Sequence, residues 1–201
     1  TLILTTNRNI INADKYARSR LWEKSPMPYG SGLAGKTLGI VGFGRIGEAV
    51  AERVLPLKLK IAYHNRTKKD SPHKYFASLI ELAHNSDILL CILPGGQDTE
   101  RVINAEVLKA LGPTGIFINI GRGTSVDENS LIEFLANEKI AAAGLDVYAE
   151  EPSIPEALLE LDNTVLLPHI GSATIETRGA MGNLVLKNLE AFFSNNELVT
   201  E

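Results

Sequence analysis

The feature that most constrains this chain is a regular alternation of short apolar runs and segments with helical spacing. The apolar runs occupy residues 37–43, 59–65, 87–94, 115–121, 140–148 and 164–171, and the helical segments residues 45–55, 75–86, 104–112, 126–139, 154–161 and 174–195. Strands that are apolar throughout, rather than alternating, are typical of a parallel sheet covered by helices on both faces. The sequence therefore predicts an α/β fold built on a doubly wound parallel sheet of about six strands.

Local signals predict several boundaries of these elements. Asn104 and Asp127 are residue types that cap a helix N-terminus, and Pro56 should end the first helix of the repeat because proline cannot continue it. Residues 1–20 contain no glycine or proline and predict an entry helix, whereas residues 25–35 are rich in turn-forming types and predict a loop.

The first apolar run leads into the glycine-rich sequence GFGRIG, and a helical pattern follows it. A Gly-x-Gly-x-x-Gly motif between a strand and a helix is the context of dinucleotide-binding loops. Gly42 would allow a tight turn, Gly44 the close approach of a pyrophosphate, and Gly47 tight packing of helix on strand. The backbone N–H groups of Arg45 and Ile46 would face the phosphates at the positive end of the helix. The alternative is an ordinary turn that happens to contain glycines.

The residues after the second apolar run bear on the choice between NAD and NADP. An acidic residue at this place bonds the adenosine ribose and marks an NAD site. Here Asn65 takes that place, and Arg66, Thr67 and Lys68 follow it. Arg66 can bind a 2′-phosphate through its guanidinium fork, and Thr67 can donate a hydrogen bond. The sequence predicts NADP as the preferred cofactor and NAD as the alternative, unless this segment is only a solvated basic turn.

Polar side chains follow three later apolar runs, where Arg122, Glu151 and His169 lie. Because the carboxyl ends of parallel strands meet at one edge, we expect these three to converge near the glycine loop. Arginine can bind a carboxylate and polarise a neighbouring carbonyl, and histidine can exchange a proton near neutral pH. A carboxylate beside that histidine would orient it and raise its pKa. With a nicotinamide cofactor this set predicts carbonyl reduction, the alternatives being an ion-pair arginine, a helix-start glutamate and a loop histidine.

Composition excludes several other classes of function. A net charge of −4 gives no reason to expect nucleic acid as a partner, which usually requires a basic face. The sequence contains no run of about 18 apolar residues, so it predicts no membrane span. The chain has one cysteine, Cys91, so no internal disulfide is possible, and a reducing cytoplasm is the expected location. No histidine or cysteine spacing typical of a metal site is present.

Four segments also carry a family resemblance: GKTLGIVGFGRIG, INIGRGTSVDENSLIEFL, AGLDVYAEEP and LLPHIGSATIETR. Together they resemble the D-isomer-specific 2-hydroxyacid dehydrogenases, and most closely the glyoxylate/hydroxypyruvate reductase branch, from about Leu33 to the end of the chain. The resemblance implies that Arg122 binds the substrate, that His169 is the general acid/base and that Glu151 supports it.

The resemblance also implies contacts with the cofactor. Asp146, in the LDV sequence, matches a residue that contacts the nicotinamide amide. Six further residues match positions that line the cofactor site: Leu93, Pro94, Thr99, Ile120, Gly171 and Ser172. Related reductases with Asn-Arg after the second strand tend to use NADPH. The chain departs from the usual pattern at Pro56 and at PGGQDT, where many members have a PLT form.

The largest departure concerns domain organisation. Members of this family resemble two-domain proteins, with roughly 100 residues of substrate-binding domain ahead of the cofactor domain. By this comparison residues 1–30 are a linker helix and arm, residues 31–173 the dinucleotide-binding domain, and residues 174–201 a helix and tail that return toward a substrate domain absent from this chain. We therefore expect cofactor binding with poor turnover from these residues alone, and a homodimer because Leu21 and Trp22 are apolar residues in the arm.

The expected function is reduction of a small 2-oxo acid, glyoxylate or hydroxypyruvate, to the D-2-hydroxy acid with NADPH. One alternative is a non-catalytic nucleotide-sensing partner protein with the same fold. Another is an NAD-dependent D-lactate or phosphoglycerate dehydrogenase. Asn65 and Arg66 argue against the last, since NAD-dependent members normally keep the acidic residue.

Overall fold

The computed structural model describes residues 1–200, which form two units: residues 1–167, and the segment from residue 168 onward. The first unit contains seven strands: β1 (Thr37–Val41), β2 (Lys60–His64), β3 (Lys74–Tyr75), β4 (Ile88–Cys91), β5 (Ile116–Asn119), β6 (Ala142–Leu145) and β7 (Thr164–Leu166). They form one sheet in the order β3-β2-β1-β4-β5-β6-β7, and every pair is parallel. The predicted doubly wound parallel sheet is therefore confirmed.

Helices accompany these strands along the chain. Those of the first unit are α1 (Leu2–Asn7), α2 (Ile10–Arg18), α3 (Arg45–Val54), α4 (Leu79–His84), α5 (Ala105–Leu111), α6 (Glu128–Ala136) and α7 (Glu156–Leu159). The predicted caps are confirmed: the Asn104 side chain accepts hydrogen bonds from two backbone N–H groups of α5, and Asp127 accepts one from the N–H of Ser130. Helix α3 ends at Val54, and Pro56 lies in the short 3₁₀ turn that follows.

Two sequence expectations were wrong in detail. The entry helix expected over residues 1–20 is two helices, because Asn9 takes a left-handed backbone conformation with φ 49° between them. The helix expected over residues 75–86 begins only at Leu79, where the Ser78 hydroxyl accepts from the N–H of Glu81 at 3.4 Å. Tyr75 instead belongs to β3, a strand additional to the six that were expected, which pairs with β2 at the sheet edge.

The core consists of two buried clusters, one on each face of the sheet. In β4, Leu89 and Cys91 belong to one cluster, and Ile88 and Leu90 to the other. Successive residues of a strand point to opposite faces, so a strand that is apolar throughout serves both clusters. This explains why the strands show no polar alternation.

The second unit is dominated by α8 (Ile175–Asn195). The helix begins where the Thr174 hydroxyl accepts from the N–H of Thr177 at 3.1 Å, and it ends at Asn196 in a left-handed conformation. Within residues 1–200 there is no helix with the length and apolar character needed to cross a membrane.

The central strands should carry most of the stability of the first unit. Leu89 has no exposed surface, whereas Leu159 at the end of α7 is 59% exposed. We expect Leu89→Ala to lower the free energy of unfolding by about 2–5 kcal/mol because it leaves a cavity, and Leu159→Ala by less than about 0.5 kcal/mol. Urea unfolding followed by circular dichroism measures both, and equal losses would contradict this assignment of the core.

Candidate active site

Two of the three glycines in the motif between β1 and α3 have little room for a side chain. Gly42 has φ +93°, and a Cβ added there would lie 2.9 Å from the carbonyl oxygen of Ile92. A Cβ at Gly47 would lie 3.2 Å from the carbonyl oxygen of Gly42, so α3 packs directly on the loop. Gly44, the N-cap of α3, instead faces open space, with no atom within 4 Å of an added Cβ. A helix N-terminus with an open approach suits an anionic group such as a pyrophosphate.

The segment after β2 is hydrogen-bonded to this loop and also forms a hydrogen-bonded turn of its own. The Asn65 side chain accepts from the N–H of Phe43 at 2.6 Å and donates to the carbonyl oxygen of Phe43 at 3.0 Å. The Tyr63 hydroxyl donates to the carbonyl oxygen of Lys69 and accepts from its N–H, both at 3.0 Å. These bonds close a turn in which Arg66 and Thr67 are exposed.

Arg66 faces the segment after β4. One of its guanidinium nitrogens lies 3.4 Å from a carboxylate oxygen of Asp98, and both side chains are largely exposed. An exposed pair of this kind contributes little to stability. The guanidinium therefore remains available to a stronger anionic partner.

The segment after β4 packs against the glycine loop on one side and the Arg122 loop on the other. A Cβ at Gly42 would lie 3.2 Å from the side chain of Leu93, and one at Gly121 only 2.6 Å from the carbonyl oxygen of Leu93. The hydroxyl of Thr99 donates to the carbonyl oxygen of Pro94 at 2.7 Å, which folds the segment back on itself. Three of the residues expected to bind cofactor, Leu93, Pro94 and Thr99, thus share one loop.

Arg122 is held by a residue that the sequence reasoning missed. Asn119, the last residue of β5, is buried; its side chain accepts from the N–H of Gly121 at 3.0 Å and donates to the carbonyl oxygen of Arg122 at 3.1 Å. The Ser125 hydroxyl donates to the same carbonyl oxygen at 2.7 Å. The available signal was a polar side chain at the end of an otherwise apolar strand. Ile120, between these residues, donates its N–H to the carbonyl oxygen of Cys91.

The loop of Arg122 and the loop of Glu151 are in backbone contact. Any Cβ at Gly123 would collide with the carbonyl group of Tyr148 and the nitrogen of Ala149. A carboxylate oxygen of Glu151 accepts from the N–H of Tyr148 at 3.1 Å. Arg122 and Glu151, two of the expected catalytic residues, therefore lie on adjoining loops, and the glycine permits that contact.

Two further acids lie in or against the loop after β6. Asp146 is buried, and its backbone N–H donates to the carbonyl oxygen of Asn119. Glu128, in the first turn of α6, accepts from the N–H of Ala149 at 2.9 Å. Burial raises the pKa of the Glu128 carboxyl, and the nearby charge of Glu150 adds to the effect. Burial, and then the charge of Asp146, raises the pKa of Tyr148 to about 12, so this hydroxyl stays protonated and donates to the carbonyl oxygen of Leu167.

The remaining expected residues lie at the start of α3 and in the second unit. Arg45 and Ile46 are exposed in the first turn of α3. In the second unit, His169 has a left-handed backbone with φ 53°, and it precedes a short turn in which the carbonyl oxygen of Ser172 accepts from the N–H of Thr174 at 3.0 Å. Gly171 lies between them. No group of three or more potential metal-ligating side chains occurs among residues 1–200.

These contacts form an unbroken row at one edge of the sheet, from the glycine loop through the Leu93 and Arg122 loops to Glu151. The strand order reverses between β1 and β4, and in open α/β sheets the crevice outside such a switch point is where ligands bind. The sheet order, the switch point and the glycine loop define a Rossmann-type dinucleotide-binding domain.

Comparison with known proteins assigns the family. Residues 1–171 match the model of the D-isomer specific 2-hydroxyacid dehydrogenase, NAD binding domain. The chain belongs to this family, and the resemblance given in the sequence analysis is confirmed. It is 48% identical over 200 residues to a hydroxyphenylpyruvate reductase of Plectranthus scutellarioides and 44% identical over 200 residues to glyoxylate/hydroxypyruvate reductase A of Arabidopsis thaliana. Each match covers 99% of this chain and 64% of the relative, so the chain spans about two thirds of their length.

A solved structure shows the same fold. The NADPH-dependent glyoxylate/hydroxypyruvate reductase of Sinorhizobium meliloti, in complex with NADP and malonate, superposes with a TM-score of 0.93 at 44% identity. The match covers 99% of this chain and 63% of that one.

The raised pKa of Glu128 has a consequence for stability. An acid whose pKa is higher in the folded state destabilises that state while it is ionised. This cost begins to shrink as the pH falls below the raised pKa, and it is gone below the ordinary pKa of the unfolded chain. Glu128→Gln removes the charge but keeps an oxygen to accept from Ala149. We therefore expect a higher melting temperature for the variant at pH 7, and a difference that shrinks toward pH 4.

The control is Glu52→Gln on the exposed surface of α3, for which we expect no comparable gain. Thermal melts from pH 4 to pH 8 measure both variants. A constant difference for Glu128→Gln across this range would show that the ionised carboxylate is not the cause.

Proposed function

We propose that this protein is an oxidoreductase that reduces a small 2-oxo acid, glyoxylate or hydroxypyruvate, to the D-2-hydroxy acid, with NADPH preferred over NADH. The observation that carries the proposal is the backbone contact between Gly123 and the Tyr148–Ala149 peptide, because it joins the Arg122 and Glu151 loops in the row of loops that begins at the glycine loop. The names of the related reductases support the same reaction class.

Each polar residue has a role set by its chemistry. The Arg122 guanidinium binds the substrate carboxylate through paired hydrogen bonds and polarises the neighbouring carbonyl. His169 gives a proton to the carbonyl oxygen in reduction and takes it back in the reverse direction. In this proposal the Glu151 carboxylate fixes the orientation of the imidazole. The chemistry that the cofactor supplies when bound is a hydride for the carbonyl carbon.

The cofactor is held along the same row of loops. In this proposal the backbone of residues 42–47 binds the pyrophosphate, Asn65 begins the segment that binds the adenosine half of the cofactor, and Arg66 and Thr67 contact the 2′-position. Seven residues line the nicotinamide half: Leu93, Pro94, Thr99, Ile120, Asp146, Gly171 and Ser172. The open approach to Gly44 and the exposed guanidinium of Arg66 support this arrangement.

Residues 31–173 act as the dinucleotide-binding domain, preceded by a linker helix and arm over residues 1–30 and followed by a helix and tail. We propose that the arm joins two copies in a homodimer, since Leu21 is 42% exposed and Trp22 73% exposed. A cytoplasmic location is compatible with the free, buried thiol of Cys91.

The preference for NADPH should depend on Arg66. We expect Arg66→Ala to weaken NADPH binding about 10- to 100-fold, because a hydrogen bond to a charged group is worth about 1.5–3 kcal/mol, and to leave NADH binding within about twofold. Arg53→Ala removes the same charge from the exposed surface of α3 and should change neither affinity. Fluorescence titration measures the dissociation constants of NADPH and NADH for the parent protein and both variants. Equal affinities for the two nucleotides, before and after Arg66→Ala, would show that the preference for NADPH is wrong.

Proton transfer should depend on His169. In the natural polypeptide that contains these residues, we expect His169→Ala to lower kcat for glyoxylate reduction by about 10²–10⁴, with little change in the dissociation constant of NADPH. The exposed His84 at the end of α4 provides the control, and His84→Ala should leave kcat unchanged. A kcat that survives His169→Ala would refute the catalytic role, and absence of any reductase activity in the parent protein would favour a nucleotide-sensing function.

A further inference from the structure

The glycine loop is held by a side chain from a neighbouring strand. Asn65 follows β2, and its amide bonds both peptide groups of Phe43, which lies between Gly42 and Gly44: it accepts from the N–H at 2.6 Å and donates to the carbonyl oxygen at 3.0 Å. This pair joins residues that are 22 positions apart in the chain. A backbone segment flanked by two glycines has unusually high conformational freedom, so a two-point attachment at its centre restricts it strongly.

Both partners of this pair are themselves fixed. The Phe43 ring is buried and stacks on the Tyr63 ring, with 4.7 Å between centroids and 28° between planes. The carbonyl oxygen of Asn65 accepts from the Tyr75 hydroxyl at 3.2 Å. Phe43 is therefore held by ring packing on one side and by the Asn65 side-chain amide on the other, and the Asn65 main chain is hydrogen-bonded to Tyr75 of β3.

The geometry requires an amide at this position. A carboxylate could still accept from the N–H of Phe43, but it has no donor for the Phe43 carbonyl oxygen and would place two acceptors 3.0 Å apart. An asparagine satisfies both groups at once. The residue type thus has a reason that is independent of the adenosine 2′-position.

We propose that Asn65 is a positioning residue that fixes the conformation of the glycine loop, and through it the affinity for the pyrophosphate of the cofactor. The inference rests on the proposed function to the extent that the loop binds a dinucleotide. It has a distinctive consequence: an acidic residue at position 65 harms the binding of NADH as well as NADPH, although an acid would otherwise be expected to favour NADH by bonding the ribose.

The first measurement uses the protein without cofactor. Hydrogen exchange of the Phe43 amide, followed by NMR, should be about three- to tenfold faster in Asn65→Ala, the factor expected for loss of one net hydrogen bond. Asn85→Ala is the matched control: Asn85 also donates a side-chain bond to a backbone carbonyl, at the end of α4, and its loss should leave the Phe43 exchange unchanged. An unchanged Phe43 exchange in Asn65→Ala would overturn the proposal.

The second measurement separates the loop from the ribose. Calorimetry compares NADPH with adenosine 2′-phosphate, which has the 2′-phosphate but no pyrophosphate. We expect Asn65→Ala to weaken NADPH about three- to tenfold and to leave adenosine 2′-phosphate within twofold. An equal loss for both probes would mean that Asn65 acts directly on the adenosine, and would overturn the proposal.

A third comparison uses Asn65→Asp, which also serves if Asn65→Ala does not fold. We expect weaker NADH binding in this variant, whereas tighter NADH binding would refute the positioning role. The two proposals fail differently. A parent protein that binds neither nucleotide would overturn the proposed function, while the Phe43 exchange still decides whether Asn65 holds the loop.

Discussion

Parallel pairing of the seven strands is the constraint on which the rest of this structure depends. Because every strand runs in the same direction, every strand-to-helix loop leaves the sheet at the same edge. The glycine loop, the Leu93 loop, the Arg122 loop and the Glu151 loop are far apart in sequence but neighbours in space for this reason. A single reversed strand would carry its loop to the opposite edge and remove its residues from the site.

Backbone contacts at glycines set the spacing along that edge. Gly42 lies against Ile92, Gly121 against Leu93, and Gly123 against Tyr148, in each case too close for a side chain. Adjoining loops therefore touch through main chain, which has fewer alternative conformations than side chains. Hydrogen bonds from Asn65 and Asn119 then fix the loops from within. Positioning of this kind brings polar groups to defined places.

Sequence reasoning recovered the strands and helices whose signals are local. The strands of the core are mostly apolar, and Asn104 and Asp127 bond the helix ends that they were expected to cap. It missed β3, because two residues paired to a sheet edge have no periodicity to detect. It also missed Asn119 and the pair of hydrogen bonds between the Asn65 side chain and Phe43, since both depend on which backbone groups come within reach after folding.

The amino-acid sequence by itself determined the class of fold and the chemical types available at the edge. These are set by features that can be read from the linear sequence: apolar runs of strand length, glycines at fixed spacing and polar residues at strand ends. Only the tertiary structure decided which loops touch, that Asn65 bonds the glycine loop, and that Gly123 brings the Arg122 and Glu151 loops together. These are contacts between residues distant in sequence. They exist only after the strands have paired and the core has formed, because no local sequence signal specifies which distant residue will come within contact distance.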